Sequence, residues 1–325
     1  MSYELILQDC IEWMNTRDKE SIDCVITSPP YNLNIKYGSY KDDLPRDSYL
    51  KWLNDVAEGI KRVLKEEGHL FLNVGFSNID PWVSMDVANV FRKHFVLQNN
   101  ITWVKHILLD DQSYGIHKPI TSDRFSSPTT ESIYHFTKTG EVKVDRLAIG
   151  HRNKTHERYP DLYTESRHIA EQRRKAAKKL GYRDWLDFKN NQKEGHLDEF
   201  NKYMQELENK KPYDPDRKKC IGTAWYIPYT PIAKMAKKMD SKVGDSEGGR
   251  GSHPATFPEA LSDMCIGYSG ISEGSVVYDP FSGTGTTVIS SIKNGMYGIG
   301  TDIDENYIRF SKERIEAIYP SDSLF

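Results

Sequence analysis

Val276-Val277-Tyr278-Asp279-Pro280-Phe281-Ser282-Gly283-Thr284-Gly285-Thr286-Thr287 reads as a strand, a glycine turn and the start of a helix. Val276 to Asp279 is short and apolar, as a buried strand should be. Gly283 and Gly285 let the backbone turn tightly and approach a ligand without Cβ clashes. The helix that follows offers free N–H groups at its first turn. Such a turn suits a nucleotide-like cofactor at the carboxyl edge of a parallel sheet. Downstream, the pattern predicts a helix over 286–294, a strand over 296–302 and a last helix over 304–318. Strand, helix and strand within about 30 residues make a βαβ unit, hence a parallel sheet. Upstream, residues 257–266 read as a helix with Pro258 in its first turn.

The cofactor can be narrowed from the residues. A P-loop needs Lys after its last glycine, where Thr286 stands; a dinucleotide turn needs a third glycine, where Val288 stands. Asp279 would repel a pyrophosphate but could pair with an ammonium. S-adenosylmethionine carries an ammonium and a sulfonium, so an acidic turn favours it. Asp302 ends the next strand, where a ribose-binding carboxylate belongs; the alternative is a helix-entry residue, and Asp304 could cap the last helix.

A second turn carries chemistry. Ile22 to Thr27 reads as a buried strand ending in Ser28-Pro29-Pro30-Tyr31-Asn32. Two prolines fix φ and remove two N–H donors, leaving carbonyls as acceptors. Ser28 adds a hydroxyl and Tyr31 a flat face. Such a set can hold one planar base with an –NH2 group. Beyond it the pattern predicts a helix over 48–65 closed by Gly68, a strand over 70–74, a helix over 81–93, and strands over 95–104 and 131–137.

From 145 to 229 the pattern turns helical and charged, with helices expected over 165–180 and 197–207. Residues 151–220 hold 18 Lys and Arg against 13 Asp and Glu, a net of +5 in a chain of net −3. Arg173, Arg174, Lys175, Lys178 and Lys179 are candidates for phosphate contacts; the alternative is a solvated helix face. Residues 234–251, with four glycines, read as a loop.

Composition sets the bounds. A chain of 325 residues, 38% hydrophobic and 11% aromatic, is globular and long enough for one large α/β domain with an insertion. Cys10, Cys24, Cys220 and Cys265 are widely spaced, giving neither a zinc site nor a disulfide framework. His106, His117 and His253 have no metal-like spacing, so no metal is expected. No signal peptide or membrane span is read.

Together these residues resemble the amino-methyltransferases of bacterial DNA. That family has a catalytic (D/N/S)-P-P-(Y/F) tetrapeptide and an F-x-G-x-G cofactor loop. Here they read Ser28-Pro29-Pro30-Tyr31 and Phe281-Ser282-Gly283-Thr284-Gly285. The catalytic motif comes first, which resembles the β group. His253 to Pro258, Gly68 to Asn73 and Glu131 to Lys138 also match, and the likeness spans roughly 1–140 and 220–318.

The resemblance implies a Rossmann-like α/β methyltransferase fold. Residues 1–144 would form the catalytic half, 145–229 an inserted helical target-recognition region, and 230–325 the cofactor half. It implies a DNA methyltransferase that flips its target base out of the duplex and transfers methyl directly from S-adenosyl-L-methionine. Ser28, Pro29, Pro30 and Tyr31 would be catalytic; Asp279, Phe281, Gly283, Gly285, Thr286, Asp302 and Phe257 would line the cofactor site. Phe257 reads equally well as core. Ser at the first tetrapeptide position is commoner among cytosine-N4 enzymes, so N4 is expected over adenine N6. The implied partner is duplex DNA in a bacterial cytoplasm, at the nucleoid; a cognate restriction endonuclease and a homodimer are compatible with it. A non-catalytic DNA-binding relative and a Rossmann-type oxidoreductase are the competing readings.

Overall fold

The computed structural model describes residues 3–32, 42–105, 107–109, 112–114, 123–152, 165–210, 218–220, 222–228 and 257–320. The chain divides into two compact units: Met1–Ile149 with Ile221–Phe325, and Gly150–Cys220.

The larger unit is built on an eight-stranded sheet. Its strands are β1 (Tyr3–Leu7), β2 (Ile22–Thr27), β3 (Leu64–Val74), β4 (Val96–Val104), β7 (Thr130–Thr137), β10 (Ala224–Tyr226), β11 (Val276–Asp279) and β12 (Tyr297–Asp302). The spatial order is β1-β12-β11-β2-β3-β7-β4-β10. Pairing is parallel except where β7 runs antiparallel to both neighbours, β3 and β4. A short hairpin, β5 (Ile107–Leu109) with β6 (Gln112–Tyr114), is separate. The expected mainly parallel α/β fold is therefore present.

Central strands are buried on both faces, which is why they read as continuous apolar runs. In β2, Val25 packs into one apolar layer while Cys24 and Ile26 pack into the other. Helices α1 (Cys10–Thr16), α2 (Arg46–Val63) and α3 (Val83–Phe91) cover the first layer through residues such as Trp13, Leu53, Val56, Ile60 and Val87. Helix α7 (Glu259–Ser269) supplies Leu261, Cys265 and Ile266 to the second. Helices α8 (Thr286–Lys293) and α9 (Glu305–Ile318) enclose a smaller cluster of Val288, Ile289, Ile292 and Ile315 against Tyr3 and Leu5 of β1.

Several expected boundaries move by a few residues, and the one at Lys65 shows why. The helix over 48–65 ends at Val63, and Leu64 is already extended at ψ 135°. Gly68 does not close the helix but lies inside β3. Leu64 pairs with Ile22, and Lys65 reaches Asp23 at 2.7 Å, so strand pairing captures these residues before another helical turn can form. A Cβ on Gly68 would fall 2.7 Å from Leu64 Cγ, so the strand needs a bare Cα there.

The smaller unit holds α4 (Glu165–Lys179), α5 (Trp185–Asn191) and α6 (His196–Lys210), with a two-residue pairing of β8 (His151–Arg152) and β9 (Lys218–Lys219). Ala176 and Ala177 of α4 are small enough to admit the rings of α5 and α6, and Phe188 stacks on Phe200 at 4.4 Å. Asp184 caps α5 by accepting from the Asp187 amide. The 234–251 stretch and the boundary at 229 lie outside the described residues.

Candidate active site

Strands β2 and β11 are direct parallel neighbours, pairing Cys24 with Val277 and Val25 with Tyr278. Their carboxyl ends therefore emerge on the same sheet edge. Ser28-Pro29-Pro30-Tyr31 leaves one and the glycine turn leaves the other. Thr27 Oγ1 donates to Asp279 Oδ1 at 2.8 Å, linking the two exits.

Asp279 is buried and takes three donors from its own chain: Thr27 Oγ1, Thr287 Oγ1 at 2.7 Å and the Phe281 amide at 3.0 Å. Burial raises its carboxyl to about 6 in spite of the lowering by those three donors. It fixes the turn from below. Gly283 has φ 50° and Gly285 has φ 74°, both in the left-handed region that glycine tolerates. A Cβ on Gly285 would lie 2.9 Å from Ser311 Cβ, and Ser311 Oγ donates to the Gly283 carbonyl at 2.8 Å. Helix α9 thus presses directly on the turn. Thr286 is the first residue of α8 and is buried.

Asp302 Oδ2 accepts from the Gly283 amide at 2.9 Å and Oδ1 from the Asp304 amide at 2.9 Å. Burial raises its carboxyl above the ordinary range, against the lowering by those amides. Helix capping belongs to Asp304, which accepts from the Asn306 amide. Phe281 packs against Trp52 of α2, with ring centroids 5.4 Å apart. Phe257 lies in the apolar layer with Ile26 and Leu261. His253 to Thr256, His106 and His117 lie outside the described residues.

The Ser28 turn is held with equal care. Tyr49 of α2 donates to the Pro30 carbonyl at 2.7 Å, leaving the carbonyl between the prolines without that engagement. Tyr49 and Trp52 stand one turn apart on α2, so one helix braces both loops. Asn32 adopts φ 56°, and its side chain pairs with both the amide and the carbonyl of Leu44 at 2.8 Å. Ser28 Oγ lies 2.6 Å from Tyr31 Oη. Tyr31 is only 7% exposed, so its ring is packed rather than free-standing.

Behind Tyr31 lie four residues that the sequence reading does not single out as site residues: Asn73, Glu131, Lys105 and Gly75. Asn73 Nδ2 donates to Tyr31 Oη at 3.0 Å and to Glu131 Oε2 at 2.7 Å. Lys105 pairs with Glu131 Oε1 at 2.7 Å. Gly75 lies beneath, and a Cβ there would meet Tyr31 Cε2 at 2.8 Å and Glu131 Oε1 at 3.0 Å. The nearest signal was that Asn73, Gly75 and Glu131 stand at the ends of predicted strands.

Five expected phosphate contacts are all exposed on α4. Three have partners within their unit: Arg173 lies over the Trp185 ring, Lys179 lies over the Tyr203 ring, and Lys175 pairs with Glu171. Arg174 and Lys178, one turn apart, have no ion-pair or ring partner among the described residues.

Comparison with known proteins places this geometry. The sequence profile of the N6/N4 DNA methylase family matches residues 22–313. The orphan methyltransferase M.BamHII of Bacillus amyloliquefaciens is 42% identical over 305 residues, covering 91% of this chain and 89% of its own. Among solved structures, the cytosine-N4-specific PvuII DNA methyltransferase superposes with a TM-score of 0.58 at 16% identity, covering 98% of this chain and 92% of that one. TTHA0409 of Thermus thermophilus, solved with S-adenosyl-L-methionine, gives 0.52 at 18% identity, covering 98% and 97%. Two loops joined at one sheet edge, and a profile match running through both, mean that this chain belongs to the N6/N4 DNA methylase family.

Proposed function

We propose that the chain methylates N4 of cytosine in duplex DNA, using S-adenosyl-L-methionine. The residues present suit that cofactor: Asp302 has no cationic partner among the described residues, and the buried Asp279 adds a second carboxyl beneath the turn. An anionic turn of this kind favours an ammonium and a sulfonium over a pyrophosphate. Asp302, Phe281 and the Gly283–Thr286 turn would hold the cofactor, with Asp279 fixing the turn and Phe257 supporting the layer beneath. When bound, the cofactor supplies an electrophilic methyl on sulfur.

The chain's own residues position the acceptor. A paired base is unreachable inside a duplex, so the target nucleotide swings out. The Tyr31 ring then abuts the base. Ser28 Oγ and the carbonyl of Pro29 accept from its –NH2, which turns the nitrogen lone pair outward. The amine is itself the nucleophile, so no covalent enzyme intermediate is needed. Orientation supplies most of the acceleration. The helical insertion, read as residues 145–229, would contact the duplex through the exposed cations of α4.

The observation that carries the reading is the Ser28 hydroxyl held by Tyr31 just beyond β2, whose neighbour β11 leads into the glycine turn. The choice of cytosine N4 rests on serine at the tetrapeptide's first position. Digestion of methylated DNA to nucleosides and mass spectrometry test it. N4-methylcytosine is expected; N6-methyladenine as the sole product would move the assignment to adenine.

A further inference from the structure

We infer that Glu131 is a positioning residue whose charge sets which way the Ser28 hydroxyl points. The inference rests on Ser28 being the group that accepts from the base amine.

Tyr31 Oη has one proton and several neighbours. Ser28 Oγ lies at 2.6 Å, Asn73 Nδ2 at 3.0 Å, and the Asn73 carbonyl and Glu131 Oε2 at 3.3 Å each. Asn73 Nδ2 can only donate, so the phenol oxygen accepts from it. The Asn73 amide orientation follows from its contacts: both Nδ2 protons have acceptors, whereas a flipped amide would set Oδ1 against the Glu131 carboxylate.

Among these neighbours the phenol proton can turn to Ser28, to the Asn73 carbonyl or to Glu131. Glu131 Oε2 lies 3.3 Å from the phenol oxygen, and the Glu131 carboxylate, paired with Lys105 at 2.7 Å, places a negative charge that draws the phenol proton toward it. With the phenol proton on Glu131, the Ser28–Tyr31 bond can only run from Ser28 to Tyr31. The serine proton points inward and its lone pairs point outward. Outward lone pairs are what an amine N–H needs. Were the phenol proton turned toward Ser28, one serine lone pair would be used up and the serine proton would be released to compete with the remaining lone pair for the face toward the amine.

Geometry supports a dedicated arrangement. Glu131 comes from β7, Asn73 and Gly75 from the end of β3, Lys105 from just beyond β4, and Ser28 and Tyr31 from beyond β2. Gly75 is bare where any Cβ would push Tyr31 and Glu131 apart. The ion-paired side chains are mostly buried, 14% exposed for Glu131 and 22% for Lys105, so water screens them little.

Glu131→Gln keeps the shape but offers one oxygen to three donors: Lys105, Asn73 and Tyr31. The test is tritium transfer from labelled S-adenosylmethionine to genomic DNA from a host without DNA methylation. Wild type, Glu131→Gln, Ser28→Ala and the double variant are compared. Glu131→Gln is expected to lower kcat about 10- to 100-fold, the range seen when groups that orient metal ligands are removed. KM for DNA and binding of S-adenosylhomocysteine should not change, and Glu131→Asp should recover part of the rate. In the Ser28→Ala background, Glu131→Gln should have no further effect, because no hydroxyl remains to orient. An unchanged kcat in Glu131→Gln, or a full further loss on top of Ser28→Ala, would overturn the inference and leave the Ser28 assignment intact. A Ser28→Ala enzyme as fast as wild type would instead remove the assignment beneath it. Should Glu131→Gln not fold, Tyr31→Phe keeps the ring and breaks the chain of hydrogen bonds; an unchanged kcat there overturns the inference equally.

Discussion

Thr27 and Asp279, 252 residues apart in sequence, meet in a 2.8 Å hydrogen bond between the last residues of neighbouring parallel strands. Each stands immediately before one of the two functional turns. The bond therefore sets the spacing of the loops at their roots, while Tyr49 and Trp52 of α2 brace them farther out.

Removing that bond should be costly. Thr27→Val keeps the side-chain shape and deletes the donor to a buried carboxylate. A loss of about 1–3 kcal/mol is expected, the usual range for stripping a partner from a buried polar group. Urea denaturation reads it as a lower midpoint at unchanged slope. An unchanged midpoint would mean that the two strand ends are held without it.

Gly285→Ala tests the turn itself. The position has φ 74°, and the new Cβ would press on Ser311 at 2.9 Å. Backbone strain alone costs on the order of 1 kcal/mol, and the contact adds to it. Calorimetric titration with S-adenosylhomocysteine should show weaker binding than to wild type. Equal affinity would mean that the turn tolerates a side chain.

Two histidines give the fold an acid-sensitive core. His69 Nδ1 and His135 Nε2 lie 3.0 Å apart, and Asn99 reaches His135 Nδ1 at 2.9 Å. Burial lowers His69 to about 4; burial and then the charge of His69 lower His135 to about 3. Unfolded histidines titrate near 6.5. Below that pH the unfolded chain binds protons that the native chain refuses, so stability falls as pH drops from about 6.5 toward 4. Asp279 acts in the opposite sense. Its folded value of about 6 exceeds the unfolded 3.8, so over that window its contribution improves as pH falls. Denaturation of wild type and of His69→Gln/His135→Gln between pH 7 and 4 separates the two. The double variant should show a shallower acid-side decline, with His94, which burial also lowers, still contributing; an identical slope in both proteins would contradict the histidine origin.

Arg174 and Lys178 should dominate phosphate contact in the insertion, since Arg173, Lys175 and Lys179 are engaged elsewhere. Each phosphate contact contributes about 0.9 to the slope of log K against log salt. Arg174→Ala/Lys178→Ala should flatten that slope by about 2 for mixed-sequence DNA. Lys179→Ala should flatten it little and destabilise the unit through its lost Tyr203 contact. A slope unchanged by the double variant would argue for a solvated face.

The parts of the fold legible in sequence are those written locally. Val276–Asp279 is bounded by Ser275 and Pro280, and the structure keeps those limits. The two turns announce themselves by glycine and proline. Tyr3–Leu7 and Ala224–Tyr226 were not legible: the first has five residues interrupted by Glu4, the second has three, and both are strands through pairing with β12 and β4. Helix α2 lies two residues earlier at both ends than its apolar spacing suggests, because Leu64 satisfies a helical face and a strand pair alike. The Glu131–Asn73–Tyr31 connections join residues up to 100 positions apart, and no local pattern encodes them.

The most direct test of two loops forming one methyl-transfer site is an NMR measurement on the protein bound to S-adenosylmethionine carrying a 13C-labelled methyl. Nuclear Overhauser contacts are expected from that methyl to the Tyr31 ring and the Ser28 methylene, alongside contacts from the cofactor ribose to Gly283. Ribose contacts at the glycine turn with none from the methyl to Ser28 or Tyr31 would contradict it.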